Sequence, residues 1–262
     1  MSIPISSSSA PFRIVQLDET DSTQAEALRR AAQGERGPVW ISTARQTRGR
    51  GRSGRAWATG AGNLAATLLF EPACPAALLP QLSLVTGIAA FDAVTALFDP
   101  IPGTPPLRLK WPNDLLIGEA KLAGILIESQ MQGTTIVAMA GVGINIAKAP
   151  EIAGRTLTCL ANHAAGPPAP QALLADLSRQ LQAWLAVWDR GAGFALIREA
   201  WISRALPEGT AMMVNAGAGP VAGTFAGLDM DGALLLLEPS GHRLRFSWGD
   251  VTLPGPQIYS KG

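Results

Sequence analysis

Residues 107–129 read LRLKWPNDLLIGEAKLAGILIES. Apolar residues dominate 107–111, 115–117 and 122–129, each run has strand length, and turn chemistry separates them. Pro112-Asn113-Asp114 supplies a fixed φ followed by two side chains that fold back on the backbone, and Gly118-Glu119 can close a hairpin. The stretch is a run of strands. Its polar residues are less ordinary. Lys110, Asn113 and Asp114 surround Trp111, and Lys121 opens an otherwise apolar strand, a costly set of groups beside a core unless the charges are paired or used. A strand capped by an Asn-Asp turn, with Lys110 paired to Asp114 and Lys121 as an edge charge, meets that condition. A ligand site meets it too.

Outward from this stretch, 79–98 is mainly apolar with Ala and reads as a largely buried helix, joined to the strands by the Pro-rich 100–106. Residues 134–146 form a further strand interrupted by Gly141 and Gly143, where either a ligand lies against the backbone or a bulge sits. Towards the N-terminus, 39–43 and 63–70 are apolar strands and 12–17 alternates like one. Asp21-Ser22-Thr23 offers capping side chains for a helix over 24–33. In the other direction, 171–188 and 194–205 are amphipathic helices, with Trp184, Trp188 and Trp201 at helical spacing as core residues. Past Pro207, the runs 211–215, 221–228, 233–238 and 243–248 are short strands separated by turns such as Asp231-Gly232, a spacing that suits a small barrel. A boundary near 206 divides a domain over 12–206 from one over 207–262, behind a Ser- and Pro-rich 1–11 expected to be a disordered tail.

Residues 45–62 read RQTRGRGRSGRAWATGAG and keep no apolar periodicity, so an extended or mobile loop is expected. Five of the seventeen arginines fall within 45–55, interleaved with Gly49, Gly51 and Gly54. Arginine presents planar, permanently charged donors and glycine lets the backbone itself come close, a combination that suits an anion better than a solvated charged loop. Residues 49–54 also spell G-x-G-x-x-G, but that fingerprint must open a helix, and Gly60 and Gly62 come too soon for one. No P-loop is present.

Composition narrows the class. The chain has 262 residues, 47% hydrophobic and 16% charged, enough for a sizeable core. Two cysteines and two histidines spell neither a disulfide scaffold nor a Cys/His zinc site. A net charge of +1 argues against a whole-surface nucleic-acid binder. Residues 1–12 lack the basic start and apolar run of a signal peptide and no stretch reaches the roughly 18 apolar residues a membrane span needs, so the cytoplasm is the expected address.

Taken in order, these segments resemble the biotin protein ligases, over about 14–253. Residues 49–57 look like the family's GRGRxGRxW loop, KWPND and KLAGI stand unaltered at 110–114 and 121–125, and GxGIN follows at 141–145. The resemblance implies an α+β fold, a mixed β-sheet backed by helices of the class shared with lipoyl ligases, then a small SH3-like β-barrel; 12–206 becomes the catalytic domain. It implies two half-reactions: biotin and ATP give biotinyl-5'-AMP, and a lysine of a biotin carboxyl carrier domain of acetyl-CoA or a related carboxylase takes the biotinyl group. About twenty residues precede Ser22, so a form without the family's helix-turn-helix domain is expected. No membrane or nucleic-acid partner is expected. The sequence does not decide between monomer and homodimer.

Residue by residue, the resemblance assigns Arg50, Arg52 and Lys121 to neutralising the two anions, with Lys121 at biotin's carboxylate and the α-phosphate. Asp114 becomes either a ligand of Mg2+ or the base for the incoming lysine. Ser22, Thr23, Gln24 and Gln46 fall at biotin's ring end, with Gln24 where many relatives carry Asn, and Gly51 and Gly143 lie against biotin. Arg52, Arg55, Trp57, Lys110, Asn113 and Asn145 fall on ATP. Two other readings stay open: a lipoate or octanoate ligase or transferase of the same fold, and a nucleic-acid-binding protein using the Arg/Gly loop.

Overall fold

A computed structural model of the chain describes residues 12–217 and 219–254, so the expected tail over 1–11 lies outside the described residues. Strand β1 (Arg13–Thr20), helix α1 (Thr23–Ala32) and β2 (Val39–Gln46) form a right-sized crossover unit, and β1 pairs with β2 in parallel. The other neighbours are antiparallel. β3 (Leu64–Phe70) pairs with β2 and with β7 (Thr135–Ile144); β6 (Ala120–Gln132), β5 (Asp114–Ile117) and β4 (Leu107–Lys110) complete a mixed sheet in the order β1-β2-β3-β7-β6-β5-β4.

Alternation along β3 and β7 sorts the core. Leu64, Ala66, Leu68 and Phe70 join Ala138, Ala140, Val142 and Ile144 in the main cluster, which takes in α2 (Gln81–Leu97), α3 (Pro170–Trp188) and α4 (Phe194–Arg204). Leu69, Val137 and Met139 instead meet Ala27 and Ala31 of α1 on the other face. The helix α2 is mostly apolar and deeply buried, and two of its polar residues reach α3: Gln81 Oε1 accepts from Trp188 Nε1 at 2.7 Å and Asp92 Oδ2 from Trp184 Nε1 at 2.9 Å. Trp184, Trp188 and Trp201 are core, as their spacing implies.

The C-terminal segment forms a five-stranded antiparallel sheet, β11-β10-β9-β8-β12, from β8 (Ala211–Asn215), β9 (Pro220–Leu228), β10 (Leu234–Leu237), β11 (Arg243–Phe246) and β12 (Asp250–Thr252). This agrees with an SH3-like unit, although among the described residues no pairing of β11 with β12 closes a barrel. Three residues long, β12 was invisible to periodicity. Val214, Phe225, Leu234 and Val251 belong to the main cluster, so the two sheets share one apolar core. Among the described residues no helix is long and apolar enough to cross a membrane.

Candidate functional site

On the α1 face of the large sheet, the positions that continue the Leu69 and Met139 rows are Ala65, Thr67, Gly141 and Gly143. Small side chains there leave a cavity beyond the N-terminus of α1, lined by all four. At its inner end the side chains are tied into a polar chain: Thr67 Oγ1 donates to Thr23 Oγ1 at 2.8 Å, and Gln46 Oε1 accepts from the Thr23 amide at 2.9 Å and its hydroxyl at 3.2 Å. Gln24 donates to Met139 O at 3.2 Å and accepts from Thr67. A Cβ on Gly141 would stand 2.6 Å from Gln24 Oε1, so the glycine makes room for that side chain. Ser22 precedes the helix but caps nothing: its Oγ is buried, lines the cavity and has no hydrogen-bond partner among the described residues. A buried hydroxyl left unpaired calls for a partner from outside the chain.

The floor is ionic. Lys110 and Asp114 are register partners across the β4–β5 turn, with Lys110 Nζ 3.0 Å from Asp114 Oδ2. A register shift opposes Leu116 to Lys121 and Leu115 to Ala123, a bulge that re-aims Lys121 so that its Nζ lies 2.5 Å from Asp114 Oδ1. Burial pushes the Asp114 carboxyl up, but the ammonium groups of Lys110 and Lys121 outweigh it and hold the carboxyl below the usual carboxylate range. Both carboxylate oxygens are thus occupied by ammonium groups. That does not fit a resident Mg2+ at Asp114, and no cluster of three or more acidic, Cys or His side chains stands elsewhere among the described residues to hold one.

The roof is the Arg/Gly segment, expected as an extended or mobile loop, which folds back on itself between Gly49 and Trp57. Gly51 N–H donates to Arg55 O at 2.7 Å, Arg50 bridges Ala56, and Trp57 N–H donates to Gly49 O at 2.9 Å, making a small hairpin. Its tip, Arg52–Gly54, turns through positive φ at Ser53 (54°) and Gly54 (72°). The hairpin is held down from the C-terminal sheet. Arg55 pairs with Asp250, and Arg52 donates to Asn113 Oδ1 at 3.2 Å and to Gly249 O at 3.1 Å. Lys110 Nζ donates to Val251 O at 2.7 Å. Trp57 lies flat against the sheet: a Cβ on Gly143 would fall 2.3 Å from its indole, and Lys121 Nζ sits 5.7 Å from the ring centroid.

Fourteen residues named from the sequence line this one cavity: Ser22, Thr23, Gln24, Gln46, Arg50, Gly51, Arg52, Arg55, Trp57, Lys110, Asn113, Asp114, Lys121 and Gly143. Asn145 does not. It is buried beneath, donating to Thr158 O at 3.1 Å. Sequence reading missed Thr67, Arg155 and Asp250, which also line it. Thr67 was discoverable as the one hydroxyl in an apolar strand; Asp250 carried no local signal.

The comparisons agree with this geometry. A model of the biotin/lipoate A/B protein ligase family matches residues 15–145. The chain is 38% identical over 242 residues to the biotin-[acetyl-CoA-carboxylase] ligase of Paracoccus denitrificans, across 87% of this chain and 95% of that one. It is 34% identical over 248 residues to the enzyme of that name from Mycobacterium tuberculosis, across 90% and 88%. Among solved structures, the biotin protein ligase from Aquifex aeolicus in complex with biotin and ATP matches with a TM-score of 0.77 at 26% identity, covering 92% of this chain and 99% of that one. With the family model over residues 15–145 and relatives 38% and 34% identical along most of both chains, this chain belongs to the biotin/lipoate A/B protein ligase family.

Proposed function

We propose that the chain is an ATP-dependent ligase that activates biotin as biotinyl-5'-AMP and transfers the biotinyl group to a lysine of a biotin carboxyl carrier domain. The observation that carries this reading is a cavity with a polar inner end and a strongly cationic outer end, in a chain matched along nine-tenths of its length by a ligase solved with biotin and ATP. Ser22, Thr23, Gln24 and Gln46 suit biotin's ureido ring, with the free Ser22 hydroxyl as the group still seeking a partner.

The first half-reaction joins two anions, so cations must neutralise both and align them. Biotin's carboxylate oxygen bonds to the α-phosphorus while that atom's bond to the bridging oxygen of the β-phosphate breaks, and pyrophosphate leaves with the electron pair. Lys121, Arg50 and Arg52 are assigned to the carboxylate and the α-phosphate, with Gly51 and Gly143 as the backbone surface beneath biotin. Arg55, Lys110, Asn113 and Trp57 are assigned to the nucleotide. Asn145 supports the strand from below. In the second half-reaction the carrier's amine attacks the acyl carbon, the bond to the adenylyl oxygen breaks, AMP departs and the amine's proton passes to solvent. An acyl phosphate is lost if water reaches it, which the hairpin roof and Trp57 would prevent.

Magnesium would accompany ATP on its own phosphate oxygens rather than sit on Asp114. With its pKa held down, Asp114 is a poor proton acceptor at neutral pH, and its role is to fix the two ammonium groups. The thiols Cys74 and Cys159 are both free, which suits a reducing compartment such as the cytoplasm. The test is pyrophosphate release on mixing the protein with ATP, magnesium and biotin before any carrier is added: a burst near one equivalent supports the reading, and none from folded protein rejects it.

A further inference from the structure

We propose that Arg155, which stands in none of the sequence motifs, binds the β- and γ-phosphates of ATP and the pyrophosphate they become. The inference rests on the ligase reading above and deepens it. Six cationic and two acidic side chains line the cavity. Asp114 is taken up by Lys110 and Lys121, and Asp250 by Arg55 with Arg52 4.0 Å away. Among the described residues, only Arg50 and Arg155 of the six have no acidic partner. Arg50 belongs to the hairpin and is already assigned to the reacting centre. Arg155 remains, an exposed guanidinium at the cavity edge with no hydrogen bond or ion pair to its side chain among the described residues.

Its backbone is nevertheless fixed. Arg155 N–H donates to Ile152 O at 3.1 Å across a turn in which Gly154 adopts φ of 72°. The next residues then pair with the strand that carries Lys121: Lys121 N–H donates to Thr156 O at 2.9 Å, and Thr158 N–H donates to Lys121 O at 3.0 Å. Arg155 is thereby tethered beside Lys121, on the β6 side of the cavity and not on the hairpin. If Lys121 meets the α-phosphate, the phosphates beyond it gain most from a cation that no carboxylate already holds, and a planar guanidinium is suited to two of their oxygens at once. Negative charge grows on the leaving pyrophosphate as the α–β bond breaks, so the contact strengthens in the transition state.

The experiment compares wild type with Arg155→Ala and Arg155→Lys in steady-state ligation with a carrier domain, after thermal melts confirm folding. Arg155→Ala is expected to raise the KM for ATP about tenfold and to weaken product inhibition by pyrophosphate to a similar degree, with Arg155→Lys recovering part of both. Biotin's Kd by calorimetry and the KM for the carrier are expected to stay at the wild-type values. Unchanged ATP and pyrophosphate constants in Arg155→Ala would overturn the proposal while leaving the ligase reading intact. So would an effect confined to the carrier's KM, which would make Arg155 a carrier contact. Absence of ligation by wild type would remove the ligase reading and this inference with it.

Discussion

Asp114 is 8% exposed and still charged, because each of its oxygens meets an ammonium. Burial alone would raise its pKa, and the two lysines reverse the sign. A carboxyl whose folded pKa lies below its unfolded value of about 3.9 stabilises the fold fully above that value and loses the contribution as pH falls through the folded pKa. Melting temperatures followed from pH 7 down to pH 3 should therefore fall on the acid side, and Asp114→Asn should flatten that limb while lowering stability at neutral pH; an unaltered acid limb would contradict the pairing. Lys121 stands between this carboxylate and the indole of Trp57. Removing a preorganised cation from the reacting centre costs about 10²–10³-fold in rate, so Lys121→Ala should slow adenylate formation by that order. Lys110 still holds Asp114 in the variant, and circular dichroism should show the fold retained.

Among the elements, the hairpin over 50–56 depends on a strand almost two hundred residues away in sequence. Arg55 meets Asp250, and that ion pair is part-exposed, so its contribution is modest. Asp250→Asn should open the hairpin more often and speed tryptic cleavage at its arginines about two- to fivefold. Biotin with ATP should restore protection; a cleavage rate equal to wild type would show that β12 does not hold the roof. Legibility divides at the same place. The helices over 24–33, 79–98, 171–188 and 194–205 appear within a few residues as α1 to α4, because α1, α3 and α4 bury residues at helical spacing and α2 is a long, mostly apolar run. Asp250–Thr252 is too short to show any period, and it forms only because β8 offers it an edge. Asn63 was equally silent: its Oδ1 accepts from the amides of Ile146 and Ala147, both at 2.9 Å, clamping the chain as it leaves β7. Local composition marked Lys110, Asp114 and Lys121 as costly. The Lys110–Asp114 pair was legible there, whereas Lys121 joins it through a bulge that composition does not encode.

Across the whole molecule, one apolar core runs from the large sheet through α2 and α4 into the C-terminal sheet. Trp201 of α4 is at its centre, edge-on to Phe225 of β9 with centroids 6.4 Å apart, and Trp111 Nε1 donates to Gly232 O at 3.1 Å. The full chain should consequently melt in one cooperative transition. Trp201→Ala should lower its stability by about 3–5 kcal/mol without splitting it in two; separate transitions for the two sheets would show that the shared core does not couple them. This coupling sets the roof and the floor of the cavity in one frame, with β12 reaching both Arg55 and Lys110.

The most direct test of the ligase assignment is mass spectrometry of a biotin carboxyl carrier domain after incubation with the protein, ATP, magnesium and equal amounts of biotin and lipoate. The account predicts the mass increase of a single biotinyl group on one lysine, dependent on ATP and accompanied by AMP. A lipoyl adduct in its place, or an unmodified carrier in the presence of folded protein, would contradict it.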